Sequence, residues 1–217
     1  MAVQLSHNGV VSSNGKLTAV YREDFNVDEL YISASAVDDL IYVLNNTKVD
    51  DIKIFSDESF LVFVIDKDVF FTRRVQVKFP PVFKRIDEPT QKANNKVMTI
   101  KLKEFKEVLG RVRLSAPDDS KGIHIKIVSQ NEINLNAVNK LGFSGSESLK
   151  AELTNFEVNE DYFFNAEYLA EVISHLTDEK FTIALSSNLR MPARIEEGKV
   201  CFFLMRLYDN SAEKTAE

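Results

Sequence analysis

The chain has 217 residues, 44% of them apolar, and a formal net charge of −6, which leaves room for one large domain or two small ones and argues against a general nucleic-acid binder. One cysteine, Cys201, excludes a disulfide framework and a cysteine-based metal cluster, and His7, His124 and His175 are too scattered for a zinc site. No apolar run approaches the ~20 residues of a membrane helix, and the polar start carries no signal peptide. The expectation is therefore a soluble cytoplasmic protein with no cofactor, no metal and no membrane partner.

The elements follow in chain order. "GVVSSNGKLTAVYRE" reads as two strands around a Ser-Asn-Gly turn. "LYIS" is a strand that runs into the helix "SASAVDDLIYVLNN", with Ala36, Val37, Leu40, Ile41 and Leu44 on one face and Ser33 or Ser35 at the N-cap. "DIKIFS", "FLVFVI" and "VFFTRRVQV" are strands. They end at "QVKFPPVFKRID", where two consecutive prolines, neither with an N–H to donate, cannot continue a ladder. The polar "DEPTQKANNKV" reads as a linker. "VMTI" then precedes the helix "LKEFKEVLGRVRL", whose Leu102, Phe105, Val108 and Leu109 share a face. The strands "IHIKIVS", "EINLNAV" and "AELTNFEV" follow. "YFFN" leads into "NAEYLAEVISHL", with Asn165 as N-cap and Leu169, Val172, Ile173 and Leu176 inward, and "KFTIALS", "RMPARIE" and "KVCFFLMRL" complete the series.

A β-α-β-β-β unit thus appears three times, with helices at a spacing of roughly 65 residues. The front strands resemble the tail of a fourth unit. The expected class is α+β, with helices on one face of antiparallel sheets. Residues 1–88 form an incomplete domain, 89–95 a linker, 96–208 a complete domain of two units, and 209–217 a disordered tail.

No catalytic pattern emerges. Cys201 lies in an apolar strand and suits a packed or groove-lining thiol better than a nucleophile. His175 ends a helix toward solvent, and His124 alternates with Ile123 and Ile125. No nucleophile–base pair, Gly-rich phosphate loop or HExxH occurs, which argues against an enzyme. Asp38-Asp39, Asp118-Asp119 and Glu196-Glu197 read as solvated helix surfaces or turns. The second helix carries Lys101, Lys103, Lys106, Arg111 and Arg113 against Glu104 and Glu107, either a phosphate-tracking surface or an ordinary solvated face.

Four stretches, in order and across nearly the whole chain, resemble the bacterial-type DNA sliding clamp, the β processivity subunit of the replicative DNA polymerase. "SSNGKLTAV" resembles the family's Thr-Asp-Gly-His-Arg-Leu-Ala-Val turn of the middle domain, and "FPPVFKRI" its Phe-Pro-Asp-Tyr-Arg-Arg-Val at the end of that domain. "LGRVRLSAPDDSKGIHI" resembles the first helix and next strand of the last domain, and "CFFLMRL" the Met-Pro-Met-Arg-Leu that ends the family's chain.

The resemblance implies the DNA-clamp fold and a non-catalytic role in processive replication. It also implies a groove between the middle and last domains that takes short linear peptides, Gln-Leu-x-Leu-Phe-like, of polymerase, clamp loader and repair proteins. Carried over, that groove comprises Ser13, Gly15, Thr18, Pro80, Arg85, Ile86, Pro192, Cys201, Phe203, Met205, Arg206 and Leu207. Lys101, Lys103, Lys106 and Arg111 would face encircled double-stranded DNA. Arg113 and Leu114 stand where the family joins subunits into a homo-oligomeric ring. Three departures stand out: Leu204 replaces the proline of the Met-Pro-Met segment, Gly15-Lys16-Leu17 replaces Gly-His-Arg, and Phe203 is bulkier than the usual Met. The resemblance covers only part of a middle domain and the last domain. That suits a C-terminal piece of a clamp or a divergent short clamp of phage or mobile-element type, with a peptide-sequestering module that forms no ring as the competing role.

Overall fold

The computed structural model describes residues 2–48, 51–76 and 79–208. The expected tail, 209–217, lies outside the described residues. The chain divides into two compact units, Met1–Val82 and Phe83–Glu217, a division that falls ahead of the boundary expected at 88.

Unit 1 opens with three antiparallel strands, β1 (Ala2–Ser6), β2 (Gly9–Ser13) and β3 (Leu17–Tyr21). A β-α-β-β-β series follows: β4 (Leu30–Ser33), α1 (Ala34–Asn45), β5 (Lys53–Ser56), β6 (Phe60–Ile65) and β7 (Asp68–Arg73). β4 pairs with β1, so four strands run in the order β3-β2-β1-β4, and β5-β6-β7 form a separate sheet. The strand β1 is weakly marked in sequence because its buried positions are Ala2, Gln4 and Ser6 while the apolar Val3 and Leu5 are only partly covered. Ser33 starts α1 by accepting the Ala36 N–H at 3.2 Å. The core joins Leu30, Ile32, Ala36, Leu61, Phe63 and Ile65.

Unit 2 begins with a helical turn, Phe83–Asp87, that continues as α2 (Glu88–Ala93). The segment expected as a linker is thus mostly helix. Two of its polar side chains face inward: Thr90 is fully buried and donates to the Ile86 and Asp87 carbonyls, and Asn94 donates to those of Ala184 and Pro192. Two β-α-β-β-β series follow. The first is β8 (Lys96–Lys101), α3 (Leu102–Val112), β9 (Gly122–Ser129), β10 (Glu132–Val138) and β11 (Ser144–Thr154). The second is β12 (Asp161–Asn165), α4 (Ala166–Ser174), β13 (Lys180–Leu185), β14 (Ala193–Glu197) and β15 (Val200–Leu204). The strands run β12-β9-β10-β11-β8-β13-β14-β15, each neighbour antiparallel.

Alternation sets the register. Ile125 and Ile127 of β9 face Leu135 and Ile133 of β10, all buried, so a one-residue slip would turn that row to solvent. Asn165 caps α4 by accepting the N–H groups of Glu167 and Tyr168 at 3.0 and 3.1 Å. No side chain caps α3; the Leu102 N–H instead donates to the Glu179 carbonyl at 2.9 Å. Glu196 and Glu197, read from sequence as a solvated pair, lie in β14. Glu196 accepts from Arg194 at 2.7 Å, and Glu197 accepts the N–H of Thr177 at 2.6 Å and that of Asp178.

Candidate functional site

The candidate peptide contact in unit 2 is the segment that leaves β15. The Leu207 N–H donates to the Phe163 carbonyl at 2.8 Å, which fastens the segment beside β12. Arg206 is 6% exposed. It donates to the carbonyls of Ser186, at 3.0 Å, and Asn188, and its guanidinium lies 5.9 Å from the Tyr162 ring centre. Its Nε has no partner among the described residues. Burial holds its pKa below the ordinary arginine value. Tyr162 is fixed in turn. Its hydroxyl donates to Glu160 at 2.8 Å, Glu160 pairs with Lys96, and burial followed by Glu160 pushes the phenol pKa up. The Arg206 side chain is thereby locked into unit 2, and the two side chains beside it are left toward the surface. Met205 is 38% exposed, and Leu207 is half-buried.

The other expected groove residues divide between the two units. Arg85 is exposed and Ile86 half-buried on the turn before α2. Pro192, Cys201 and Phe203 are buried. They act as packing under the surface rather than as open lining in the described structure. Phe203 lies 5.7 Å from the Arg194 guanidinium, and Arg194 donates to the Asp87 carboxylate at 2.6 Å. Ser13, Gly15, Thr18 and Pro80 belong to unit 1. Ser13 and Thr18 share a hydroxyl hydrogen bond of 2.8 Å across the β2–β3 turn. Asn14 accepts the Lys16 and Leu17 N–H groups there at 2.9 and 2.8 Å, while Gly15 takes φ +85 with open space around it. Pro80 is exposed.

The second candidate surface is the pair α3 and α4, which pack on each other. Its cations are largely engaged. Lys101 pairs with Glu104 at 3.0 Å, Arg111 forks onto both Glu147 oxygens at 2.7 Å, and Lys106 donates to the Leu176 carbonyl at 3.1 Å. The Arg111–Glu147 hydrogen bond raises the arginine pKa and lowers the carboxyl pKa. Lys103 is exposed and makes no ion pair among the described residues. The neighbouring α4 adds exposed Glu167 and Glu171. Arg113 lies with Lys106, Gly110, Ala170, Ile173 and Ser174 around a 290 Å³ cavity between the two helices, and Leu114 is 82% exposed. No group of three or more His, Cys, Asp or Glu suited to a metal occurs among the described residues, and no described helix is long and apolar enough to cross a membrane.

Sequence reasoning missed the buried Arg194–Asp87 pair. An arginine in a strand beside aromatic residues was the available signal, since such a charge needs a partner.

Residues 89–199, just over half of the chain, match the family described as DNA polymerase III beta subunit, C-terminal domain. The comparison with curated proteins returns no sequence match. Among solved structures, a DnaN sliding clamp (DNA polymerase III subunit beta) from Pseudomonas aeruginosa bound to griselimycin has a TM-score of 0.82 at 16% identity, covering 96% of this chain and 57% of that one. The DNA polymerase III subunit beta from the same organism gives 0.82 at 17%, covering 96% and 58%. The DnaN sliding clamp from Bartonella birtlesii bound to griselimycin gives 0.80 at 21%, covering 92% and 54%. At these identities the likeness establishes the fold. The chain spans a little over half the length of these relatives.

Proposed function

The chain belongs to the family of the DNA polymerase III beta subunit, the bacterial-type sliding clamp, and on that premise we propose that it is a non-catalytic processivity module that captures short apolar peptides of polymerase, clamp loader and repair proteins. The observation that carries this reading is the Met205-Arg206-Leu207 segment. Buried Arg206 is tied to the Ser186 and Asn188 carbonyls, so Met205 and Leu207 are held at fixed positions beside it. A preorganised apolar ledge with a few fixed polar groups suits an extended Leu- and Phe-bearing peptide, because little side-chain freedom remains to be lost on binding. A fluorescein-labelled Gln-Leu-x-Leu-Phe peptide should bind saturably in the micromolar range. Met205→Ala should weaken it by about tenfold, as expected for truncating one central contact. Equal binding by Met205→Ala overturns the assignment.

In the proposed ring, α3 and α4 face duplex DNA and touch phosphates weakly, without base readout, so that the ring slides. Arg113 and Leu114 remain the proposed subunit contacts. Tethering through the peptide then raises the polymerase's effective concentration at the primer end.

The pairing of Lys101 and Arg111 with carboxylates favours a second reading, a peptide-sequestering module that does not load on DNA. DNA binding separates the two. The ring reading predicts weak binding at low salt that falls as salt rises, and Lys103→Glu with Lys106→Glu should reduce the log–log salt slope by about 2. A slope near zero in the unaltered chain favours the sequestering role.

A further inference from the structure

Unit 2 buries two arginines, and their charges are met differently. Arg194 has two carboxylates, Asp87 and Glu196, in hydrogen-bond reach. Arg206, equally buried, has no carboxylate partner among the described residues. Its acceptors are the neutral carbonyls of Ser186 and Asn188, and its Nε–H has no acceptor among the described residues. A buried cation without an anion beside it is destabilising unless something else offsets its charge. The Arg206 guanidinium stands over the Tyr162 ring, 5.9 Å from the ring centre.

That ring is itself held in a chain of charge. Buried Tyr162 donates its hydroxyl to Glu160 at 2.8 Å. Glu160 pairs with Lys96, and these two side chains keep 22% and 13% of their surface exposed. Burial opposes the Glu160 charge, yet the hydrogen bonds from Lys96 and Tyr162 outweigh it and hold the carboxyl below the ordinary glutamate value. Phe156 closes the cluster. It meets Tyr162 edge-on, with ring centres 5.8 Å apart and planes at 89°, and its own ring centre lies 5.9 Å from the Lys96 Nζ. The backbone fixes the ends. Lys96 of β8 pairs with Leu185 of β13, next to the Ser186 whose carbonyl holds Arg206. The Glu160 carbonyl accepts the Ile127 N–H at 2.9 Å. A phenol that donates to a carboxylate gains electron density in its ring, and the ring face then attracts a cation more strongly.

We propose that Glu160 and Tyr162 are positioning residues for peptide capture: the carboxylate, acting through the phenol ring, offsets the buried Arg206 charge and so holds Met205 and Leu207 where an extended peptide meets them. This role rests on the peptide reading above and adds to it two side chains that lie outside the groove expected from sequence. Neither touches the peptide; both act through Arg206. Without the Glu160 charge, the Tyr162 ring offsets less of the guanidinium charge, Arg206 is drawn toward water, and the segment that carries Met205 and Leu207 loosens with it.

The test uses the whole 217-residue chain, the labelled Gln-Leu-x-Leu-Phe peptide and two conservative substitutions. Tyr162→Phe keeps the ring and removes the hydroxyl. Glu160→Gln keeps an acceptor and removes the charge. Each should weaken peptide binding by about fivefold, with unchanged circular dichroism. The double variant should lose no more than about the same, because both changes interrupt one line of charge. Glu152→Gln, which breaks the exposed Lys180–Glu152 pair, should leave binding unchanged. A second readout needs no peptide. The Arg206 Nε–H resonance, assigned by its absence in Arg206→Lys, should exchange with water about tenfold faster in both variants than in the unaltered chain. Unchanged Nε–H exchange overturns the proposal, and so does faster exchange with unchanged peptide affinity. An unaltered chain that binds no peptide overturns the peptide reading and this role with it; that failure is told apart from a failure of the Glu160–Tyr162 link because the Nε–H exchange still responds.

Discussion

Replacing Arg194 with alanine is expected to destabilise unit 2 by about 3–5 kcal/mol, the range for breaking a buried ion pair from one side. Arg194 and Asp87 keep only 5% and 9% of their side-chain surface exposed. The guanidinium donates to the Asp87 carboxylate at 2.6 Å, the Asp87 carbonyl at 3.2 Å and Glu196 at 2.7 Å. Burial works against its charge, but Glu196 and Asp87 more than offset that and leave its pKa above the ordinary value. Removing the arginine leaves the Asp87 carboxylate desolvated without this cation, and the turn before α2 loses two hydrogen bonds to β14. Urea unfolding should report the loss as a lower midpoint. The double substitution Asp87→Leu with Arg194→Met should recover much of it, because the buried carboxylate is removed together with its cation and only the partly exposed Glu196 loses a partner. A loss below about 1 kcal/mol for Arg194→Ala would mean that the pair is effectively solvated.

Phe105→Ala is the second large effect, at about 3–5 kcal/mol. Phe105 is fully buried in α3 and meets Phe181 of β13 edge-on, with ring centres 5.2 Å apart. The alanine leaves a cavity between helix and sheet that the surrounding close-packed residues cannot fill without moving α3. Phe105→Leu, nearer in volume, should cost less than about 1.5 kcal/mol. Since α3 also carries Lys103 and Lys106, the proposed DNA-facing residues, the alanine variant should weaken any DNA binding along with stability, whereas Lys103→Glu should leave stability unchanged. Equal stability of the alanine and leucine variants in denaturant unfolding would contradict the packing assigned to Phe105.

The helices were legible because their inward faces are built from Leu, Val, Ile and Phe at helical spacing, and the repeat was legible because each helix sits between the same strand patterns. The segment 89–95 was not, because its buried residues are polar. Thr90 and Asn94 look like linker chemistry until their partners at Ile86, Ala184 and Pro192 are known. The basic excess of α3 was legible, but the partners of its cations were not. Composition counts charges along a helix, whereas Glu147, which engages Arg111, lies 36 residues away on β11. Strand β15 was half legible. "VCFFL" is apolar on both faces, which signals burial on both, and four of its five residues are buried. Cys201 and Phe203 are accordingly buried rather than open to a groove. β7 carries a similar apolar pattern, with Val69 and Phe71 left exposed, a difference no local sequence signal distinguishes.

The most direct test of the functional reading is a ¹H–¹⁵N spectrum of the chain titrated with the Gln-Leu-x-Leu-Phe peptide. The peptide assignment predicts progressive shifts at Met205, Leu207 and the Ser186–Asn188 stretch whose carbonyls hold Arg206, with α3 unmoved. An unchanged spectrum at saturating peptide, or shifts confined to other surfaces, would contradict it.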